Sequence, residues 1–382
     1  MGDLGLIGLV VLGLWFWEGW VRVPRGAWVF RCRRKHWSAD GTRNLPENGS
    51  WAWLWLPLCV GHSRILLAQG SPVSPATEGV WLHSSQAPNP GPRIDGEGAL
   101  VDWNEVAALK SEPHRLVHKG IPQGAVQNPA LLDRIRRELV ELASVQEAKR
   151  GAALEAWVAR TLDPTPVRRH LRRLDRLTGE LGLGLGIYAF WLLVFMPLMV
   201  FLLGWSTIWP SLLIITLVQQ VFLACLARHA HILLLPGHSE ERLSWVISCF
   251  LSPAALLRSC EQLAAKVTAD AHPIALALAL MEREEKTGRD LLVRLARDLY
   301  YPCEPIAEHP SEHLLRVDLE HRERLLANLE RQLGIQGQTP SGEVSPQRIS
   351  HTGEAWCPRC REVYMRDGGV CTDCGVALML KP

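Results

Sequence analysis

The longest apolar feature lies near the middle of the chain, where 47 consecutive residues between Glu180 and Arg228 carry no charge. A helix needs only about 20 residues to cross a hydrocarbon core of ~30 Å, so the run is about twice too long for a single crossing. Gly204-Trp205-Ser206-Thr207 reads as a turn, and Pro210 suits the first turn of a new helix. The pattern predicts a transmembrane helical hairpin with spans over 181–203 and 209–231. Two buried helices of a soluble core are the competing reading, but these would carry a polar stripe.

A second run, Leu4–Trp17, holds 14 uncharged residues and reaches Val21 at the cost of Glu18 alone, barely enough to span. A signal peptide competes here. Asp3 before the run and Glu18-Gly19-Trp20 after it do not supply a basic leader or a small-residue cleavage site, so an uncleaved anchor is expected. Arg22, Arg25, Arg31, Arg33, Arg34 and Lys35 follow this run, and Arg168, Arg169, Arg172, Arg173 and Arg176 precede the hairpin. Excess positive charge stays on the cytoplasmic side. Both clusters are satisfied by an outside N-terminus, an outside turn near 204–208 and a cytoplasmic tail from about 232.

Between the apolar runs, Trp28–Phe30, Trp51–Leu58, Ile65–Leu67 and Val80–Leu82 are short and punctuated by Gly, Pro, Asn and Ser, which predicts strands. From Asn128-Pro129 onward, Leu131, Leu132, Ile135, Leu139 and Leu142 repeat at helical spacing, and Asp163-Pro164-Thr165-Pro166 breaks the pattern before the basic run. After the hairpin, Trp245–Leu251 and Ala254–Leu263 are split by Pro253 and too short for a crossing; they suit the interface or packing on other helices. Two further helices are expected over 274–299 and 311–333, the second with Leu314, Leu315, Leu319, Leu325, Leu326 and Leu329 among charges.

Composition adds two points. The net charge of +2 argues against a nucleic-acid-coating protein. Sixteen tryptophans, against seven phenylalanines and four tyrosines, include Trp15, Trp17, Trp20, Trp205 and Trp209 near the proposed membrane ends, where indole rings are favoured. Of ten cysteines, Cys32, Cys59, Cys225, Cys249, Cys260 and Cys303 are scattered singly, which suits a reducing compartment.

The other four are paired: Cys357-Pro-Arg-Cys360, then Cys371-Thr-Asp-Cys374-Gly. Each pair places two thiolates on one tight knuckle, and a short hairpin turning at Gly368-Gly369 would bring the knuckles face to face. Four soft sulfurs in a tetrahedron select zinc, and iron, a redox dithiol or metal-free cysteines are the alternatives. The segment resembles the zinc-ribbon family over about residues 354–380, with Pro after the first Cys and Gly after the last. That resemblance implies a structural zinc ion held by Cys357, Cys360, Cys371 and Cys374. Arg361 departs from the glycine such first knuckles often carry. A closed four-thiolate site has no open position, so its role is folding and recognition. Arg359, Arg361, Arg366 and Lys381 face Glu362, Asp367 and Asp373, a balance that points to protein contact over nucleic acid.

His309-Pro-Ser-Glu312-His313 matches the inverted zincin pattern, in which two histidines bind zinc and the glutamate acts as base. Pro310 favours a helix start there instead, with Glu312 placed for the helix dipole. No nucleotide-binding loop or dinucleotide fingerprint is present. Gln219 and Gln220 lie inside the second span, where amides bond across to a neighbouring helix.

The fold class expected is a mainly α membrane protein with a small β-rich region and a zinc ribbon. Its parts are an anchor over 1–21, a β-rich cytoplasmic region over 22–100, a cytoplasmic helical region over 101–180 and the hairpin over 181–235. A second cytoplasmic helical region covers 236–333, a polar linker 334–353 and the ribbon 354–382. The function expected is a multi-pass, non-enzymatic scaffold or adaptor that contacts the bilayer and a protein partner or a second copy. The competing readings are a membrane metallopeptidase using the H-x-x-E-H motif and a channel or transport subunit.

Overall fold

The aromatic and β-branched runs near the N-terminus form strands, as such residues favour a pleated, half-buried surface. In the computed structural model these are β1 (Trp20–Pro24), β2 (Ala27–Arg33), β3 (His36–Gly41), β4 (Trp51–Trp55), β5 (Ile65–Gln69), β6 (Val73–Pro75) and β7 (Val80–Leu82). Then come β8 (Ala99–Val101), β9 (Lys110–Glu112), β10 (Arg115–His118) and β11 (Ile121–Gln123). The structure describes residues 20–24, 27–33, 36–41, 51–55, 65–69, 71–83, 99–112, 115–123, 129–235, 239–282 and 312–333, with short pieces at 5, 13, 288–289, 291–292, 295, 355–356, 363–364 and 379–380.

All strand pairs are antiparallel: β1 with β4, and three-stranded sheets in the orders β3-β2-β5, β6-β7-β8 and β9-β10-β11. Trp28 and Phe30 of β2 are buried with Leu66 and Ala68 of β5, beneath the helices. Strands thus continue beyond residue 100, where the sequence pattern suggests helix. The reason is local: Lys119 (φ 50°) and Gly120 (φ 82°) form a two-residue turn with both φ positive, the geometry that matches strand twist in tight hairpins. Segments of three or four residues are too short to display their period.

α1 (Pro129–Ser144) buries Leu131, Leu132, Ile135, Leu139 and Leu142, the stripe its spacing predicts. α2 (Glu147–Thr161) follows. α3 (Pro164–Phe190) begins where the Asp163 carboxylate accepts the Thr165 N–H at 2.9 Å, capping the first turn. The basic flank and the apolar half belong to this one unbroken helix. A π-helical turn at Trp191–Phe195 leads into α4 (Met196–Leu203). Pro197 lacks the N–H that a regular ladder needs there, and a wider turn accommodates the gap.

Gly204 alone (φ 78°) separates α4 from α5 (Trp205–Leu234), so the turn is tighter than the 204–208 expected, and Pro210 lies inside α5. Trp191 Nε1 donates to Thr216 Oγ1 at 2.9 Å, and Gly184 faces Leu223, which sets the antiparallel register. Two helical stretches, Glu147–Leu203 and Trp205–Leu234, are long and apolar enough to cross a membrane. In the N-terminal run only Gly5 and Gly13 are described, both helical; the rest of the expected anchor lies outside the described residues, and β1 takes over from Trp20.

Beyond the hairpin lie α6 (Ser239–Leu251), α7 (Pro253–Leu257), α8 (Ser259–Thr268), α9 (Pro273–Met281) and α10 (Glu312–Gln332). α8 and α9 meet at a 113° bend. α9 is buried from Pro273 to Leu280 and packs on α3 and β5, joining the sheets to the helical layer in one core. Of the helix expected over 274–299, the continuous part described ends at Met281. β12 (Ala355–Trp356), β13 (Val363–Tyr364) and β14 (Met379–Leu380) form an antiparallel sheet in the order β13-β12-β14.

Candidate functional site

Three segments far apart in the chain bring their polar side chains into one buried cluster. β6 supplies Ser74, the end of β7 supplies His83, the start of α9 supplies His272, and α10 supplies Asp318, His321 and Arg322; all six are buried. α10 reaches the cluster because its inner stripe, Val317, Asp318, His321, Arg322, Leu325, Asn328 and Leu329, docks against β6, β7 and α2. Mixed polar and apolar residues on one helical face need partners when buried.

Those partners are specific. The His83 Nε2 lies 3.0 Å from Ser74 Oγ. His272 Nδ1 accepts the Ile274 N–H at 3.3 Å and caps α9 in the manner of an aspartate. His321 hydrogen-bonds the Pro75 backbone, where only a carbonyl is on offer, so the imidazole donates; its Nδ1 makes no hydrogen bond among the described residues. Asp318 and Arg322, one turn apart, form a buried ion pair. Outside it, Glu320 accepts from the Thr77 N–H at 3.0 Å and from Thr77 Oγ1 at 2.8 Å, while Arg324 donates to the Gly151 carbonyl at 2.9 Å. These bonds clamp α10 to the β6–β7 turn and to α2. Trp103 backs the same turn, donating from Nε1 to the Ala76 and Thr77 carbonyls at 3.0 Å each, with Arg150 stacked over its ring.

Burial sets the protonation states. It pushes His83 down to about 3, aided by Arg322, and His272 down to about 4. His321 is pushed down to about 3 by burial and by its neighbours His83, His272 and Arg322. Burial raises Asp318 to about 6, although Arg322 beside it pulls the other way. Neutral imidazoles are what His272 needs as a cap acceptor. Among the described residues no three His, Cys, Asp or Glu side chains converge to hold a metal ion. Through the Glu320–Thr77 and His321–Pro75 bonds the cluster forms a clasp that fastens α10 to β6 and its turn, with His272 at the start of α9 beside it. Compared with known protein families, characterised proteins and solved structures, the chain matches none.

Cys357, Cys360, Cys371 and Cys374 lie outside the described residues, as do His309 and Pro310. The three short strands flank the cysteine pairs in sequence: β12 ends one residue before Cys357, β13 follows Cys360, and β14 follows Cys374. Glu312 and His313 open α10. The Gln220 side-chain amide donates to the Phe250 carbonyl of α6, the cross-helix bond such amides make, while Gln219 Oε1 is buried without a hydrogen bond among the described residues. His231 is buried with its ring 5.2 Å from Trp245, and His229 is exposed.

The clasp residues escape a sequence reading because each is an unremarkable polar residue in its own segment. One signal exists: Asp318, His321 and Arg322 fall on the same helical stripe as Val317, Leu325 and Leu329, where charges ordinarily lie on the opposite face.

Proposed function

We propose that the chain is an integral membrane scaffold or adaptor without catalytic activity, anchored by the α3–α5 hairpin, with its β/α body and zinc ribbon on the cytoplasmic side. One observation carries this reading: the hairpin turns a large part of its apolar surface outward. Leu183, Ile187, Phe190, Phe201, Ile214, Val218 and Phe222 are all exposed along the stretch that lacks charge between Glu180 and Arg228. A soluble monomer rarely carries so large a contiguous apolar surface, and hydrocarbon covers it without cost to the backbone, whose hydrogen bonds are internal to the helices. The arginines of α3 before Glu180 favour the cytoplasmic side for the body, with the N-terminal run as a further outside-in anchor.

The zinc ribbon rests on the two Cys-x-x-Cys pairs, supported by the antiparallel strands that flank them. Four thiolates would hold the ion as structure, leaving the ribbon's surface to bind a protein partner or a second copy. The clasp suits a scaffold: it fastens α10, the helix from which the C-terminal module follows, to the body.

The test is membrane extraction and metal content of the full chain, with and without Cys357→Ser and Cys360→Ser. The reading expects retention in the membrane pellet at alkaline pH, release by detergent, and one zinc per chain that the double variant loses. Release at alkaline pH would overturn the anchor. A second zinc that survives the double variant would favour the metallopeptidase, and Glu312→Gln would then abolish a proteolytic activity.

A further inference from the structure

α6, α7 and α8 form a second, shorter hairpin beside the first. Lys266 Nζ lies 2.6 Å from Glu241 Oε2, and Trp245 Nε1 donates to Gln262 Oε1 at 3.2 Å. Four residues forward along α6 correspond to four residues back along α8, so the two helices run antiparallel. They turn at Ser252-Pro253, where Ser252 Oγ accepts the Ala255 N–H at 3.3 Å and Pro253 opens α7.

The bond from Gln220 to the Phe250 carbonyl fixes how far this tip reaches along α5. Gln220 precedes Arg228, the first charge at that end of α5, by eight residues, or about 12 Å of helix rise. The register of the first hairpin, with Gly184 against Leu223 and Trp191 against Thr216, brings Glu180 of α3 to the level of Arg228. Both helices thus enter the charge-free zone at one level, and the α6–α8 tip lies well inside it. From Glu241 to Leu251, α6 itself rises about 15 Å, and Trp245 lies beside His231, so its charged start is toward the Arg228 end and its end at the tip.

Its side chains sort accordingly. Trp245 and Cys249 are buried inward, whereas Leu243, Ile247 and Leu251, spaced four apart, are 69%, 47% and 72% exposed, with Phe250 beside them. Ser244 and Ser248 also face outward, and a helical serine can bond to a carbonyl of its own preceding turn. Between Leu243 and Ala265 the sequence has only two charges, Arg258 and Glu261; both are buried and paired at 3.0 Å, as charges at membrane depth must be.

We infer that α6–α8 is a re-entrant helical hairpin that dips Phe250–Pro253 into the hydrocarbon from the Arg228 side and returns to the same side, with Leu243, Ile247 and Leu251 against lipid tails. This rests on the membrane reading of the α3–α5 hairpin. It adds an insertion that neither hydropathy nor length reveals, since a 13-residue helix cannot span.

The test places a small fluorescent amino acid at Leu251, at Ile214 or at Glu147 in the otherwise intact chain. Each protein is reconstituted into phosphatidylcholine vesicles that carry a doxyl quencher in mid-acyl chain. All three positions are exposed, so the probe displaces no core contact. The inference expects loss of intensity at 214 and 251, none at 147, and protection of 251 from aqueous iodide. Quenching at 214 with none at 251, whether 251 is open to iodide or covered by another protein, overturns the re-entrant hairpin and leaves the anchor standing. No quenching at 214 overturns the membrane reading itself.

Discussion

Replacing His321 with glutamine is expected to flatten the acid side of the stability profile. In the unfolded chain a histidine takes up a proton near 6.5, whereas folded His321 resists until about 3. Between those values the unfolded state binds the extra proton, so stability is complete above 6.5 and is lost as pH falls through this window, by about 1.4 kcal/mol per pH unit. His83 and His272, held down to about 3 and about 4, act in the same direction. Asp318, raised from 3.8 to about 6, acts in the opposite one: folding takes up its proton between those values and offsets one histidine. Near pH 5 the balance is about two protons released on folding, or roughly 2.7 kcal/mol per pH unit from the clasp. His321→Gln removes one of them. Between pH 8 and pH 5 the wild type should therefore lose about 2 kcal/mol more than the variant. Denaturant unfolding in detergent, followed by tryptophan fluorescence at pH 8, 7, 6 and 5, reads this difference, and other titrating groups cancel between the two proteins. The lost bond to Pro75 shifts the variant equally at every pH. Parallel profiles would refute the buried, neutral assignment of His321.

Asp318→Ala strands Arg322 in the core and should cost about 3–5 kcal/mol, whereas Asp318→Leu combined with Arg322→Met should cost less than the single change; an additive result would mean the pair is not coupled. A methyl at Gly184 would sit 2.8 Å from Leu223 Cδ2, the mobile end of a side chain, so Gly184→Ala should cost under about 1 kcal/mol while Gly184→Ile costs several times more. Equal midpoints for the two in thermal unfolding would contradict the α3–α5 register. Trp103→Phe removes the donor shared by the Ala76 and Thr77 carbonyls and should destabilise by about 1–3 kcal/mol in the same assay.

The charge-free run, the break at Gly204, the helix start at Pro129, the break at Asp163-Pro164 and the leucine stripe of α1 could all be read from sequence because each depends on residues within a turn or two of one another. A helix declares itself through a 3.6-residue period and a terminus through its capping residue. The β9–β11 sheet was hidden by its short strands, and Lys119-Gly120 is a weaker turn signal than Asn-Gly. The four cysteines stand out by their paired Cys-x-x-Cys spacing alone, a pattern local to a few residues.

The sequence by itself determined which segments are apolar enough to cross a bilayer and which cysteines are paired by spacing. Tertiary structure alone decided that His83, His272 and His321 share one buried cluster, and that the tip of α6 lies level with Gln220. Such pairings join residues tens to hundreds of positions apart, and what selects them is the shared cost of burying polar groups without partners, which no local pattern records.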